Sequence, residues 1–303
     1  MSKSNQKKIF PSAHEDAAAS KRKLVTRQTE SSAYRLAFLD DDFILQEELR
    51  PVRLQLELLK PELLMQKNNI ESTVVIFGSA RFLDRETALN QLHKIQRMVD
   101  EKPTPSLQRS LIAARRAVAN SRYYEEARKL GVIISKNCQV GAKNTHVVVT
   151  GGGPGIMEAA NRGADEAMAK SIGLNIVLPH EQAPNTYITP ELCFQFHYFA
   201  IRKMHFLIRA RALVAFPGGF GTLDELFEAL TLIQTQRIKP MPVLLFGRDF
   251  WRRVVNFETL VEEGTISADD LNLFNYVETA EEAWDHIARF NDLSQPLKNH
   301  QSL

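Results

Sequence analysis

Three short runs carry the residue types from which a reactive site could be built. In LVAFPGGFGTLDELFEAL (213–230), Gly218, Gly219 and Gly221 are followed closely by Thr222, Asp224 and Glu225. In GGGPGIMEAAN (151–161), Gly152, Gly153 and Gly155 precede Met157, and an adjacent basic pair, Arg202 and Lys203, stands upstream of the first run. Glycine-rich turns let backbone N–H groups converge on an anion and remove the side chain that would hold a phosphate away. A helix starting at such a turn adds unpaired N–H groups and partial positive charge. A carboxylate facing that cradle would lie beside a bound phosphoribosyl group. Cleavage of an N-glycosidic bond there creates positive charge on the anomeric carbon and ring oxygen, which the carboxylate would meet. Glu225 is the candidate for that role. Thr222 and Glu225, three residues apart, equally fit a capping box, a purely structural use of the same side chains. Asp224 reads as a helix-start charge.

Strands and helices must hold these runs. STVVIFGSAR (72–81), HVVVT (146–150), GLNIVLP (173–179), RALVAFP (211–217) and MPVLLFG (241–247) read as strands buried on both faces. Helical segments separate them near 155–170, 198–209, 221–236 and 249–263. This alternation predicts an α/β fold, a Rossmann-like doubly wound parallel sheet. In such sheets ligands bind beyond the carboxyl ends of the strands, where both glycine clusters fall. A single glycine there would mean only a tight turn, whereas two clusters point to anion or nucleotide binding. Ile156 stands where a GxGxxG fingerprint needs its last glycine, and no GxxxxGK[ST] occurs, which disfavours NAD and P-loop ATP chemistry.

Residues 84–137 read as an unusually long helical crossover, with Gly131 as a helix terminator. Pro51 and Pro61 interrupt the helical spacing of 43–68 and predict two or three short helices. Arg202 and Arg209 are two turns apart and can share a helix face, with Arg209 and Arg211 read as solvated basic positions. The expected organisation is a flexible basic tail (1–35), a helical extension (36–70), a Rossmann-like domain (71–290) and a C-terminal tail (291–303).

Composition bounds the function classes. The 303 residues are 44% hydrophobic and 24% charged, enough to bury a large core. The net charge of +2 is concentrated in 1–35, where eight Lys/Arg face three Asp/Glu. Few large apolar residues occur in that tail, so it reads as flexible, with a nucleic-acid arm as the lesser reading. No apolar run approaches the roughly 18–20 residues that span a bilayer, and a cytoplasmic protein with no membrane partner is expected. Cys138 and Cys193 lie far apart without metal-ligand spacing, so no metal site and no disulfide framework are expected.

Together these runs resemble the LONELY GUY (LOG) family of nucleotide phosphoribohydrolases, long labelled lysine decarboxylases. PGGFGTLDE (217–225) matches the family pattern PGGxGTxxE, and Arg202–Lys203, GGGPGIMEAAN and FGSAR (77–81) fall in the matching order. The resemblance covers roughly 72–290 and is closest to the longer bacterial type. It implies that Gly218, Gly219, Gly221 and Thr222 hold a 5'-phosphate and that Glu225 and Arg202 form the catalytic pair, with Lys203 assisting. It further implies that Gly152, Gly153, Gly155 and Met157 line the nucleotide site, which Gly78 and Ser79 close from the first strand. The implied substrate is a nucleoside 5'-monophosphate (a purine or pyrimidine nucleotide, or a cytokinin ribotide), cleaved to free base and ribose 5-phosphate without metal or cofactor by a homodimer or higher homo-oligomer. Plant-type members carry Met-His before the Arg-Lys pair; Phe199, Ala200 and Ile201 occupy those positions here, so the base is not carried over. The alternative on the same scaffold is a non-catalytic module binding a nucleotide or molybdenum cofactor. Amino-acid decarboxylation would require a pyridoxal phosphate lysine that no motif marks.

Overall fold

β1 (Thr73–Phe77), the first β-branched run, becomes the centre of a seven-stranded sheet in the computed structural model. The structure describes residues 10–21, 24–139, 144–179 and 183–293; parts of both expected tails, 1–9, 22–23 and 294–303, lie outside the described residues. The other strands are β2 (Val147–Thr150), β3 (Ser171–Ile176), β4 (Cys193–Phe196), β5 (Ala210–Ala215), β6 (Val243–Phe246) and β7 (Asn275–Val277). All pairings are parallel, in the order β4-β3-β2-β1-β5-β6-β7. The chain therefore winds outward from β1 in one direction, then resumes on its other side with β5. The fold is the expected Rossmann-like doubly wound parallel sheet, and the β1/β5 junction is its topological switch point.

The helices are α1 (Ala13–Ser20), α2 (Arg27–Glu30), α3 (Asp41–Ile44), α4 (Arg50–Lys67), α5 (Arg85–Glu101), α6 (Pro105–Cys138), α7 (Ile156–Glu166), α8 (Phe199–Ile208), α9 (Phe220–Gln234), α10 (Arg248–Val254), α11 (Phe257–Glu262) and α12 (Ala280–Phe290). Alternate strand residues serve two cores, as the period-two geometry of a strand requires. Val75, Phe77, Leu213 and Leu245 face Phe206, Leu226, Ile233 and Trp251 of α8, α9 and α10. Val74, Ile76, Val214 and Phe246 face Tyr124, Leu130, Ile156 and Ile287 of α6, α7 and α12. Burying each such side chain contributes about 1.5–3 kcal/mol relative to exposure.

Several local expectations change. β4 and β7 are short edge strands, only half buried, that lack a β-branched apolar run and so left no clear pattern. Gly131 does not end a helix: it lies in the buried interior of α6, which runs 34 residues. A methyl group there would collide with the Ala160 carbonyl, and one on Gly163 would collide with the Arg128 carbonyl. The two glycines thus let the backbones of α6 and α7 touch. Pro61 does not break α4, because its ring is buried and packing outweighs the lost hydrogen bond; Pro51 sits in the first turn, where its missing N–H costs nothing. Arg209 is not solvated but pairs with Glu62.

The chain divides into two compact units, Met1–Leu59 and Lys60–Leu303. Within the first, Ser12 and Glu15 form a capping box on α1, and Arg35 reaches Asp42 at 3.2 Å and Asp40 at 3.5 Å. The second holds the sheet and both cores. Among the described residues no helix is long and apolar enough to cross a membrane.

Candidate active site

Backbone hydrogen bonds gather three strand ends into one place. Phe216 N donates to Phe77 O at 2.9 Å and Ser79 N to Pro217 O at 3.0 Å, joining the turns after β1 and β5. Ile156 N donates to Ser79 O at 3.1 Å, drawing in the start of α7 after β2. Gly155 makes that approach possible: its φ of 72° suits glycine, and a side chain would strike the Ser79 carbonyl and the Ala80 backbone.

The turn after β5 runs directly into α9, whose N-cap is Gly219. No side chain caps that helix, so the alternative reading of Thr222 and Glu225 as a capping box does not hold. The reason is register. With the helix beginning at Phe220, Thr222 is already in its first turn, and both Thr222 and Glu225 turn inward to burial at 6% and 7% exposure. The N–H groups of a first helical turn have no intrahelical acceptor, and here they face a cavity.

Glu225 meets Arg202 there. The Arg202 guanidinium stands 3.9 Å from the Glu225 carboxylate, with Glu225 buried and Arg202 partly buried. Arg202 is fixed from α8 by donating through Nε to Leu174 O at 2.7 Å and by lying 5.0 Å over the Phe206 ring. Burial pushes the Glu225 carboxyl up to about 7, against the attraction of Arg202 and Lys203 and with help from Glu228 and Asp224. This buried acid can therefore change protonation state near neutral pH.

Lys203 points elsewhere. Its Nζ lies 3.0 Å from both Asp224 and Glu228, one turn apart on α9, and so ties α8 to α9. Burial alone would lower its pKa, and the two carboxylates more than offset this. Asp224 is thus one half of this strut rather than a helix-start charge.

A cavity of ≈1130 Å³ opens over these residues. Of the residues anticipated, Gly78, Ser79, Met157, Arg202, Gly218, Gly219, Gly221, Thr222 and Glu225 line it. Gly152, Gly153, Gly155 and Lys203 do not. Gly152 packs on the Asn175 side chain, and its carbonyl accepts from Asn185 N at 2.9 Å and Nδ2 at 3.1 Å. Gly153 lies against the Met157 methyl. These glycines shape the turn, while Gly151 and Met157 present it to the cavity. The sequence reading did not anticipate the outer wall: Arg81 beyond β1, Arg116, Asn120 and Tyr123 on α6, and Arg253 on α10. Positions 116, 120 and 123 share one face of α6, a spacing that a solvated face would show equally.

Residues 157–287 match the family model described as "Possible lysine decarboxylase". The chain is 28% identical over 161 residues to the probable cytokinin riboside 5'-monophosphate phosphoribohydrolase LOGL3 of Oryza sativa subsp. japonica, covering 49% of this chain and 71% of that one. It is 29% identical over 144 residues to the cytokinin riboside 5'-monophosphate phosphoribohydrolase LOG4 of Arabidopsis thaliana, covering 46% and 65%. Among solved structures, the Moco carrier protein of Chlamydomonas reinhardtii aligns with a TM-score of 0.43 at 19% identity, over 73% of this chain and 98% of that chain. In the motif at 217–225, in the family model and in these curated relatives alike, the resemblance of this chain is to the LONELY GUY family.

Proposed function

We propose that the protein hydrolyses the N-glycosidic bond of a nucleoside 5'-monophosphate, giving free base and ribose 5-phosphate. The observation that carries this reading is the buried Glu225 carboxyl, poised near pH 7 beside Arg202 and the glycine turn. The 5'-phosphate would lie on the Gly218–Thr222 backbone at the start of α9, which orients the ribose over Glu225. As the C1'–N bond breaks, its electron pair leaves with the base, which takes a proton from solvent. The ionised Glu225 stabilises the positive charge on C1' and the ring oxygen and accepts a proton from the water that adds to C1'. It then returns that proton to solvent, so the carboxylate is regenerated. Arg202 favours the ionised form against burial, and Lys203 acts through the α8–α9 strut.

Purine, pyrimidine and cytokinin nucleotides are all candidates, the last supported by the names of the relatives. A pyridoxal phosphate mechanism does not fit, since among the described residues no lysine lines the cavity to hold that group. We place the reaction in the cytoplasm, a reading supported by the two free cysteines. A homodimer completes the proposal, supported by exposed Phe199, Met204 and Ile208 on α8 and by Phe220 at the head of α9, 92% exposed. Incubation with AMP, GMP, CMP, UMP and isopentenyladenine ribotide, followed by assay of ribose 5-phosphate, tests the activity. Release from at least one nucleotide is expected, and release from none contradicts it.

A further inference from the structure

We infer that the outer half of the same cavity is a second anion subsite, so that the nucleotides it takes best carry an anionic group besides the 5'-phosphate. This rests on the nucleotide reading above and names a substrate class within it.

The inner half of the cavity is balanced in charge. Arg202 faces Glu225, and Asp224 is held by Lys203 from outside. Four further arginines line the cavity, Arg81, Arg116, Arg122 and Arg253, against Asp249 as the one other acid in the described lining. They come from three separate elements: the turn after β1, helix α6 and helix α10. In that reading the backbone of the α9 turn serves the 5'-phosphate, which leaves these arginines to another group. The cavity volume of ≈1130 Å³ also exceeds the roughly 300–1,000 Å³ usual for small-molecule sites.

Arg122 shows that this wall is built rather than merely charged. It donates from Nη2 to the Tyr123 hydroxyl at 2.7 Å, with its guanidinium 4.6 Å from the Tyr123 ring centroid. Tyr123 is itself buried and stacked on Phe82 at 5.7 Å. That hydrogen bond uses one of five N–H donors, and although the charges of Glu278 and Asp249 also act on Arg122, N–H donors remain for a phosphate or carboxylate. Arg116, Arg122 and Asn120 all belong to α6, which lies outside the 157–287 stretch shared with the family model. Helix α6 thus supplies a recognition surface to a site whose chemistry lies on α8 and α9.

Calorimetry on the Glu225→Gln protein, which separates binding from turnover, tests this with two matched pairs: AMP against adenosine 3',5'-bisphosphate, and UMP against orotidine 5'-monophosphate. About tenfold tighter binding of one doubly anionic member is expected. A preference in the first pair places the group on the ribose, and one in the second places it on the base. In the Arg116→Gln, Arg122→Gln double variant, whose changes are on exposed side chains, the ratio of the two dissociation constants should fall towards one. Equal binding within both pairs, or a preference that survives the double variant, overturns the subsite while leaving the phosphoribohydrolase reading intact. Binding of no nucleotide at all would overturn both.

Discussion

Arg202 and Glu225 face each other at 3.9 Å across the mouth of the β1/β5 junction, close enough for charge to matter yet beyond hydrogen-bond reach. Burial raises the Glu225 carboxyl while Arg202 pulls it back, and the balance falls at about 7. The pair thus holds a carboxylate that is costly to ionise and correspondingly responsive to a positive charge forming nearby.

The pH dependence follows from that balance. If the ionised form works, kcat/KM should rise through about pH 7 and level off above it, since the ionised fraction grows with pH. Arg202→Gln removes the main group that lowers the Glu225 pKa, so the rise should move to higher pH. Initial rates of ribose 5-phosphate release between pH 5 and 9 would show this, and a rise that stays in place in Arg202→Gln would contradict it.

Stability should carry the opposite sign. The folded-state pKa of Glu225 lies above its ordinary value of 4.5, so the folded state binds more protons than the unfolded one between these values and stability falls as pH rises through that window. Glu225→Gln removes this cost. Its Tm should exceed that of the parent at pH 8, with a gain of up to about 3 kcal/mol, and should match it near pH 4. Thermal melts at the two pH values decide the point, a gain independent of pH being the contrary result.

Gly131 offers a test of the α6–α7 crossing. A valine there must push the Ala160 carbonyl away, and the cost should be about 1–3 kcal/mol from overpacking. Gly264 has open space around its Cβ position but a φ of 70°, so Gly264→Ala should cost through backbone strain alone and by less. Urea denaturation of both variants compares them.

The exposed apolar residues of α8 and of the head of α9 should be covered by a second copy. Light scattering should then give twice the 34.4 kDa chain mass. Phe220→Asp should shift the population towards the single chain, and a monomeric parent at micromolar concentration would overturn the proposed dimer.

The parts of this molecule legible in its sequence are those where one residue type has one physical use. Buried β-branched runs made strands, and glycines at their ends marked the turns that meet at the switch point. Thr222 and Glu225 were ambiguous because the same pair can cap a helix or point into a site; only the start of α9 at Phe220 decides between them. Gly131 misled because a glycine that ends a helix and one that lets two helices touch look identical without the partner Gly163 in view. The arginine wall was hidden for another reason. A polar face of α6 lying between solvent and a cavity has the same pattern as one facing solvent alone.

In the proposed reaction Glu225 acts on the glycosidic bond rather than holding the helix. The most direct measurement is ribose 5-phosphate release by the parent and by Glu225→Gln on the nucleotide the parent cleaves best, with binding of that nucleotide measured alongside. A fall in kcat of about 10²-fold or more with binding retained is expected. Unchanged turnover in Glu225→Gln would contradict it.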